Sequence, residues 1–155
     1  MSPLSPDPVQ AVLEGHAGVT SWLRNLRAAL GALAGEPSAG FAPIEGGLRE
    51  QVREHVLFLE DRLLPTLLGL DPEPAVATLV DELRRDHLAI LADCSRLCAD
   101  LAGCLATDDA DAVLAAHTRA RGLQERVLAA TRRERDQLIP LVRRHREALS
   151  LALAA

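Results

Sequence analysis

Residues 52–68, VREHVLFLEDRLLPTLL, decide how this chain is read. Val52, Val56, Leu59 and Leu63 recur at the three- and four-residue steps of one helix face, and the run passes without a break into Pro65. Seventy-five residues later, 127–144 say something similar, VLAATRRERDQLIPLVRR. Aligning Pro140 on Pro65 sets Leu138-Ile139 on Leu63-Leu64, Ala130 on His55 and Glu134 on Leu59. One copy carries a histidine ten residues before its proline, the other a glutamate six before. A solitary amphipathic helix needs neither. Two such helices facing each other across a bundle can hold a metal ion between them.

The rest of the chain is helical in the same style. Asp7-Pro8 pairs an N-cap side chain with proline at the first helical position. Val9, Val12, His16, Val19, Leu23, Leu26, Leu30 and Leu33 then step along one face until Gly35 and Pro37. A Gly/Pro-rich connection follows, with Phe41 and Ile44 expected to tuck under the bundle end. Asp71-Pro72 predicts a third helix start, with Val76, Val80, Leu83, His87, Ile90, Cys94, Leu97, Leu101 and Cys104 as its seam. Residues 107–109 cap a fourth helix, whose seam runs from Val113 to Leu141 through Glu134 and which is expected to kink or have a frayed turn near Pro140. The pattern predicts one all-α domain over 1–155, an antiparallel up-down-up-down four-helix bundle with helices at about 8–34, 48–68, 72–106 and 108–149.

Composition agrees and narrows the function. Of 155 residues, 48% are hydrophobic but only 2% aromatic, and the strong helix formers Leu, Ala and Arg dominate. A net charge of −5, no Tyr and two Phe argue against nucleic-acid binding. The arginines at 132, 133, 135, 143, 144 and 146 read as a solvated helix face. No apolar run reaches the ~18 residues of a membrane span, and the N-terminus MSPLSPDPVQ lacks the pattern of a signal peptide. Three cysteines make no disulfide framework. The expected setting is the cytoplasm.

Each predicted helix thus carries one polar residue on its buried seam: His16, His55, His87 and Glu134. Burying an imidazole without a partner costs roughly 1–3 kcal/mol, and an unpaired carboxylate more. One from each helix, at heights that permit a shared layer, suits a divalent iron, manganese or zinc ion. The same four side chains, hydrogen-bonded to one another in a metal-free core, are the competing reading.

On these residues the chain resembles the hemerythrin-like (HHE) domains, four-helix bundles that house a non-haem di-iron centre. The resemblance spans nearly the whole chain: His16, His55 followed by Leu63-Leu64-Pro65, Asp86-His87, and Glu134 followed by Leu138-Ile139-Pro140. It implies metal ligands at His16, His55, His87 and Glu134, and further ligands at positions 59 and 130. There this chain has Leu59 and Ala130, which cannot coordinate. Glu60, a weaker candidate, is turned ~100° from position 59 and is expected to face solvent or a neighbouring helix. Cys94 is a second weaker candidate, on the stripe of His87, against which stands ordinary core packing. His117 and His145 are expected to face solvent. The depleted set fits a mononuclear site better than a dinuclear one.

The expected function is binding of non-haem iron or another divalent metal, used to bind or sense O₂, NO or iron, without enzymatic turnover. The alternative is a metal-free bundle acting as a structural or protein-interaction module. The tail ALSLALAA (148–155) is expected either to be an exposed apolar surface that suits a homodimer or to be a frayed end; an unknown protein partner is the other expectation.

Overall fold

The computed structural model of the protein describes residues 7–32, 42–106 and 109–155. Among them the chain is helical throughout, in five helices with no strand. We label these α1 (Pro8–Ala32), α2 (residues 42–70), α3 (Pro74–Ala106), α4 (residues 110–144) and α5 (Arg146–Ala154). None is long and apolar enough to cross a membrane.

Several boundaries differ from the sequence expectation, each for a local reason. Asp7 does cap α1, its Oδ1 accepting from the Val9 N–H at 3.0 Å. Asp109 caps α4 in the same way through the Asp111 N–H, at 2.9 Å. Asp71, however, ends α2 rather than starting α3, which begins at Pro74. Its carboxylate is buried and takes a 2.9 Å hydrogen bond from His145 Nε2. His145, expected in solvent, is therefore half-buried and partnered; it sits at the turn where α4 stops and α5 starts. α2 begins at Ala42, earlier than expected, and Ile44 is buried within it. Phe41 lies outside the described residues.

Helical structure continues through both prolines. α2 is π-helical over Leu48–Arg53 and Phe58–Leu63, and α4 is π-helical over Glu134–Leu138. Pro65 and Pro140 each fall at the start of the α-helical segment that follows such a turn. In a regular α-helix a proline ring collides with the carbonyl four residues back. A preceding wide turn, bonded i to i+5, moves that carbonyl aside and lets the helix continue.

The apolar interior divides in two. One cluster gathers Val19, Trp22 and Leu26 of α1, Ile44 and Val52 of α2, Ile90, Cys94 and Leu97 of α3, and Ala120, Leu123 and Val127 of α4. The other gathers Val9 and Val12, Leu59 and Leu63, Val80 and Leu83, Leu138 and Val142, together with Leu149 of α5. Along α1 and α3 the chain passes from the second cluster to the first, and along α2 and α4 from the first to the second. His16, His55, His87 and Glu134 are the residues at which each crossing is made.

Two different chemistries set the helix registers. Between α1 and α2, glycines admit the partner's side chains. Gly15 faces His55, Gly18 faces Gln51, and Gly47 faces Trp22, whose Nε1–H donates to the Ile44 carbonyl at 2.9 Å. Between α3 and α4, Asp86, Asp93 and Asp100 pair with Arg133, Arg126 and Arg119, a seven-residue ladder on both helices. Both sets run in opposite directions along the two helices, so each helix pair is antiparallel. Arg133, read from sequence as part of a solvated face, is thus a register residue. α5 folds back on the second cluster through Leu149, while Arg62 donates to the Leu153 carbonyl at 2.5 Å and Arg146 pairs with Asp7.

Leu59, at the position where the resemblance implies a metal ligand, is fully buried in the second cluster. Leu59→Ala is expected to cost about 2–5 kcal/mol through lost burial and a residual cavity. Urea unfolding followed by the fluorescence of the single tryptophan, Trp22, measures it; a loss below about 1 kcal/mol would contradict the packing described.

Candidate metal centre

Glu134 is the hub of the polar layer. It lies in the π turn of α4, buried, with its carboxylate facing α1, α2 and α3. Oε2 accepts from His16 Nε2 at 2.6 Å and from His55 Nε2 at 3.1 Å. Oε1 accepts from His87 Nε2 at 3.2 Å. All four predicted residues therefore meet, one from each of the first four helices. The alignment of Asp86 with Arg133 sets the neighbouring pair His87 and Glu134 at the same height.

The side chains fit a metal ion by donor type and by reach. His16, His55 and Glu134 each offer one ligand atom, and those atoms all lie within 4.8 Å of one another. Two imidazoles and one carboxylate form a set suited to Fe(II), Mn(II) or Zn(II) that leaves coordination positions open. One polar atom in the layer is also left over. His55 Nδ1 is buried and has no hydrogen-bond partner.

His87 stands apart from this triad because both its nitrogens are engaged. Its Nδ1–H donates to Glu60 Oε1 at 2.5 Å, and Glu60 Oε2 accepts from Arg84 Nε at 3.2 Å. Of the two expected orientations for Glu60, the structure shows the neighbouring helix: it leans on α3, about a fifth exposed. A carboxylate on the far nitrogen of an imidazole fixes the tautomer and the ring orientation, as it commonly does around metal-bound histidines. The Glu60–His87 pair was invisible to helix periodicity. Glu60 lies within the wide turn over Phe58–Leu63, where residue spacing departs from the ~100° per residue of an α-helix.

Charge in the layer follows from these bonds. Burial alone would raise the Glu134 carboxyl, but three imidazole donors outweigh it and hold the group well below its usual range. Burial would likewise lower the His87 imidazole, yet hydrogen bonds to Glu134 and Glu60, and their charges, raise it from 6.5 to about 9. At neutral pH the layer is thus an ion pair between Glu134 and His87 with two further imidazoles attached. A metal ion entering it must displace the Nε2 protons.

Cys94 is not part of this layer. It packs in the first apolar cluster, and burial pushes its thiol up to about 12, so it behaves as a small hydrophobe. Leu59 and Ala130 are likewise core residues, and His117 is half-buried on α4.

The shifts fix the sign of a pH effect in chelator-treated protein. The His87 pKa is raised on folding, so its contribution is fully present below about 6.5 and is lost as pH rises toward about 9. The Glu134 pKa is lowered, so its contribution is present above the usual carboxylate range and lost as pH falls through it. Unfolding free energy is therefore expected to drop by a few kcal/mol between pH 6.5 and 9, and His87→Gln should flatten that slope. A wild-type profile level across this window would contradict the ion pair.

No protein-family model matches the chain, and no curated protein or solved structure does either.

Proposed function

We propose that the protein is a hemerythrin-like metal-binding domain, an up-down-up-down four-helix bundle carrying one divalent metal ion, non-haem iron by preference. The reading rests on the convergence of His16, His55 and Glu134 within ligand reach, in a layer that separates two apolar clusters. Alternation of the helices between those clusters supports the bundle topology, and α5 then folds back over one end.

His16 and His55 would bind through Nε2 and Glu134 through its carboxylate. His87 would be a fourth ligand, or would hold a proton beside the ion while Glu60 orients its ring. A metal so bound supplies open coordination positions for a small ligand such as O₂ or NO. The surrounding leucines and valines exclude bulk water, and the proposed role is binding rather than turnover. A second reading, a metal-free structural or interaction module, is favoured by one observation: Glu134 already has three imidazole partners and needs no ion to satisfy it.

Equilibrium dialysis of chelator-treated protein against anaerobic Fe(II), followed by elemental analysis, separates the two. About one iron per chain is expected, and none for His55→Ala. Two per chain would mean that Glu60 and His87 hold a second ion. Uptake below about a tenth per chain would leave the module reading, and full stoichiometry in His55→Ala would overturn the ligand assignment.

A further inference from the structure

Gly15 precedes His16 on α1, and the His55 imidazole of α2 occupies the space where its side chain would be. A Cβ built on Gly15 lies 2.0 Å from His55 Nδ1, 2.7 Å from Cε1 and 2.8 Å from Cγ. Three ring atoms at such distances cannot be relieved by bending a flexible tip. The whole imidazole would have to leave. Gly18, one turn on, meets only Gln51 Cβ at 3.6 Å, an ordinary contact.

His55 is also the least tethered imidazole of the layer. His16 is held at 2.6 Å and His87 is bonded at both nitrogens, whereas His55 has one 3.1 Å bond and a buried, unpartnered Nδ1. Its ring is buried and packs edge-on against His16, with centroids 5.3 Å apart and planes at 75°. Packing, more than hydrogen bonding, sets where its Nε2 points. A glycine in a helix interior costs roughly 0.5–1 kcal/mol relative to alanine, so helix propensity alone disfavours Gly15.

We infer that Gly15 is a positioning residue for the metal centre: the bare backbone of α1 at this point keeps the His55 imidazole on Glu134 and beside His16. This deepens the metal-site reading and rests on it for its effect on metal binding, but the placement of His55 is testable without metal.

The test compares Gly15→Ala, Gly18→Ala, His55→Ala and the Gly15→Ala/His55→Ala double variant. In chelator-treated protein, imidazole ¹⁵N–¹H NMR should lose the His55–Glu134 correlation in Gly15→Ala and keep it in Gly18→Ala. With Co(II) as the probe, Gly15→Ala should weaken binding at least tenfold, Gly18→Ala should match wild type, and Gly15→Ala should add nothing in the His55→Ala background. Wild-type affinity together with an intact His55 signal in Gly15→Ala would overturn the inference. If wild-type protein binds no Co(II), the metal reading fails and the NMR comparison alone decides the role of Gly15. If Gly15→Ala does not fold, a folded double variant identifies His55 as the group displaced; an unfolded one makes Gly15 a backbone-packing residue and overturns the inference.

Discussion

A carboxylate buried among apolar side chains is expensive unless every oxygen is partnered, and Glu134 is that carboxylate. Each of the three other helices of its layer supplies an imidazole to it, at 2.6, 3.1 and 3.2 Å. Removing one partner from such a network leaves an uncompensated buried group and costs far more than a surface pair. The helices are therefore free to shift only as far as these bonds allow. The apolar clusters on either side supply most of the stabilising burial, but they constrain height poorly, because one leucine can replace another along a seam. Glu134 gives the layer a fixed height.

That height must agree with the registers of two helix pairs, and each pair uses a different device. The α1–α2 pair interlocks by shape: Gly15 and Gly47 are the notches, His55 and Trp22 the projections. The α3–α4 pair interlocks by charge, with aspartates and arginines repeating every seven residues. Individual exposed ion pairs are worth little. A ladder of three in one register nonetheless penalises a one-turn slip at every rung. The π turns complete the arrangement. They directly precede the α-helical segments that carry Pro65 and Pro140, and one of them contains Glu60, which accepts from the outer nitrogen of His87.

Much of this was legible in the sequence. Seams at three- and four-residue spacing gave the helices, and a polar residue on each seam gave His16, His55, His87 and Glu134, which the structure brings together. The misses share a cause, since each depends on something other than regular α-helical periodicity. Asp71 looked like a cap for α3 but answers His145, 74 residues away. Glu60 leans on the neighbouring helix α3, one of its two expected orientations, although periodicity did not single out His87 as its partner. Arg133 looked like one of many surface arginines, although the seven-residue spacing of Asp86, Asp93 and Asp100 was visible and is the signal that would have found the ladder. Gly15 carried no signal, because a glycine beside a histidine acquires meaning only when the opposite helix is in place.

The central claim is that the layer around Glu134 holds one metal ion through His16, His55 and Glu134. Crystals of chelator-treated protein soaked in Zn(II), with diffraction recorded on both sides of the zinc absorption edge, test it most directly. The account predicts a single anomalous peak per chain in this layer, within about 2.0–2.2 Å of both Nε2 atoms and a Glu134 oxygen. A layer with no peak, its imidazoles still hydrogen-bonded to Glu134, would contradict the account, as would zinc bound only at surface carboxylates.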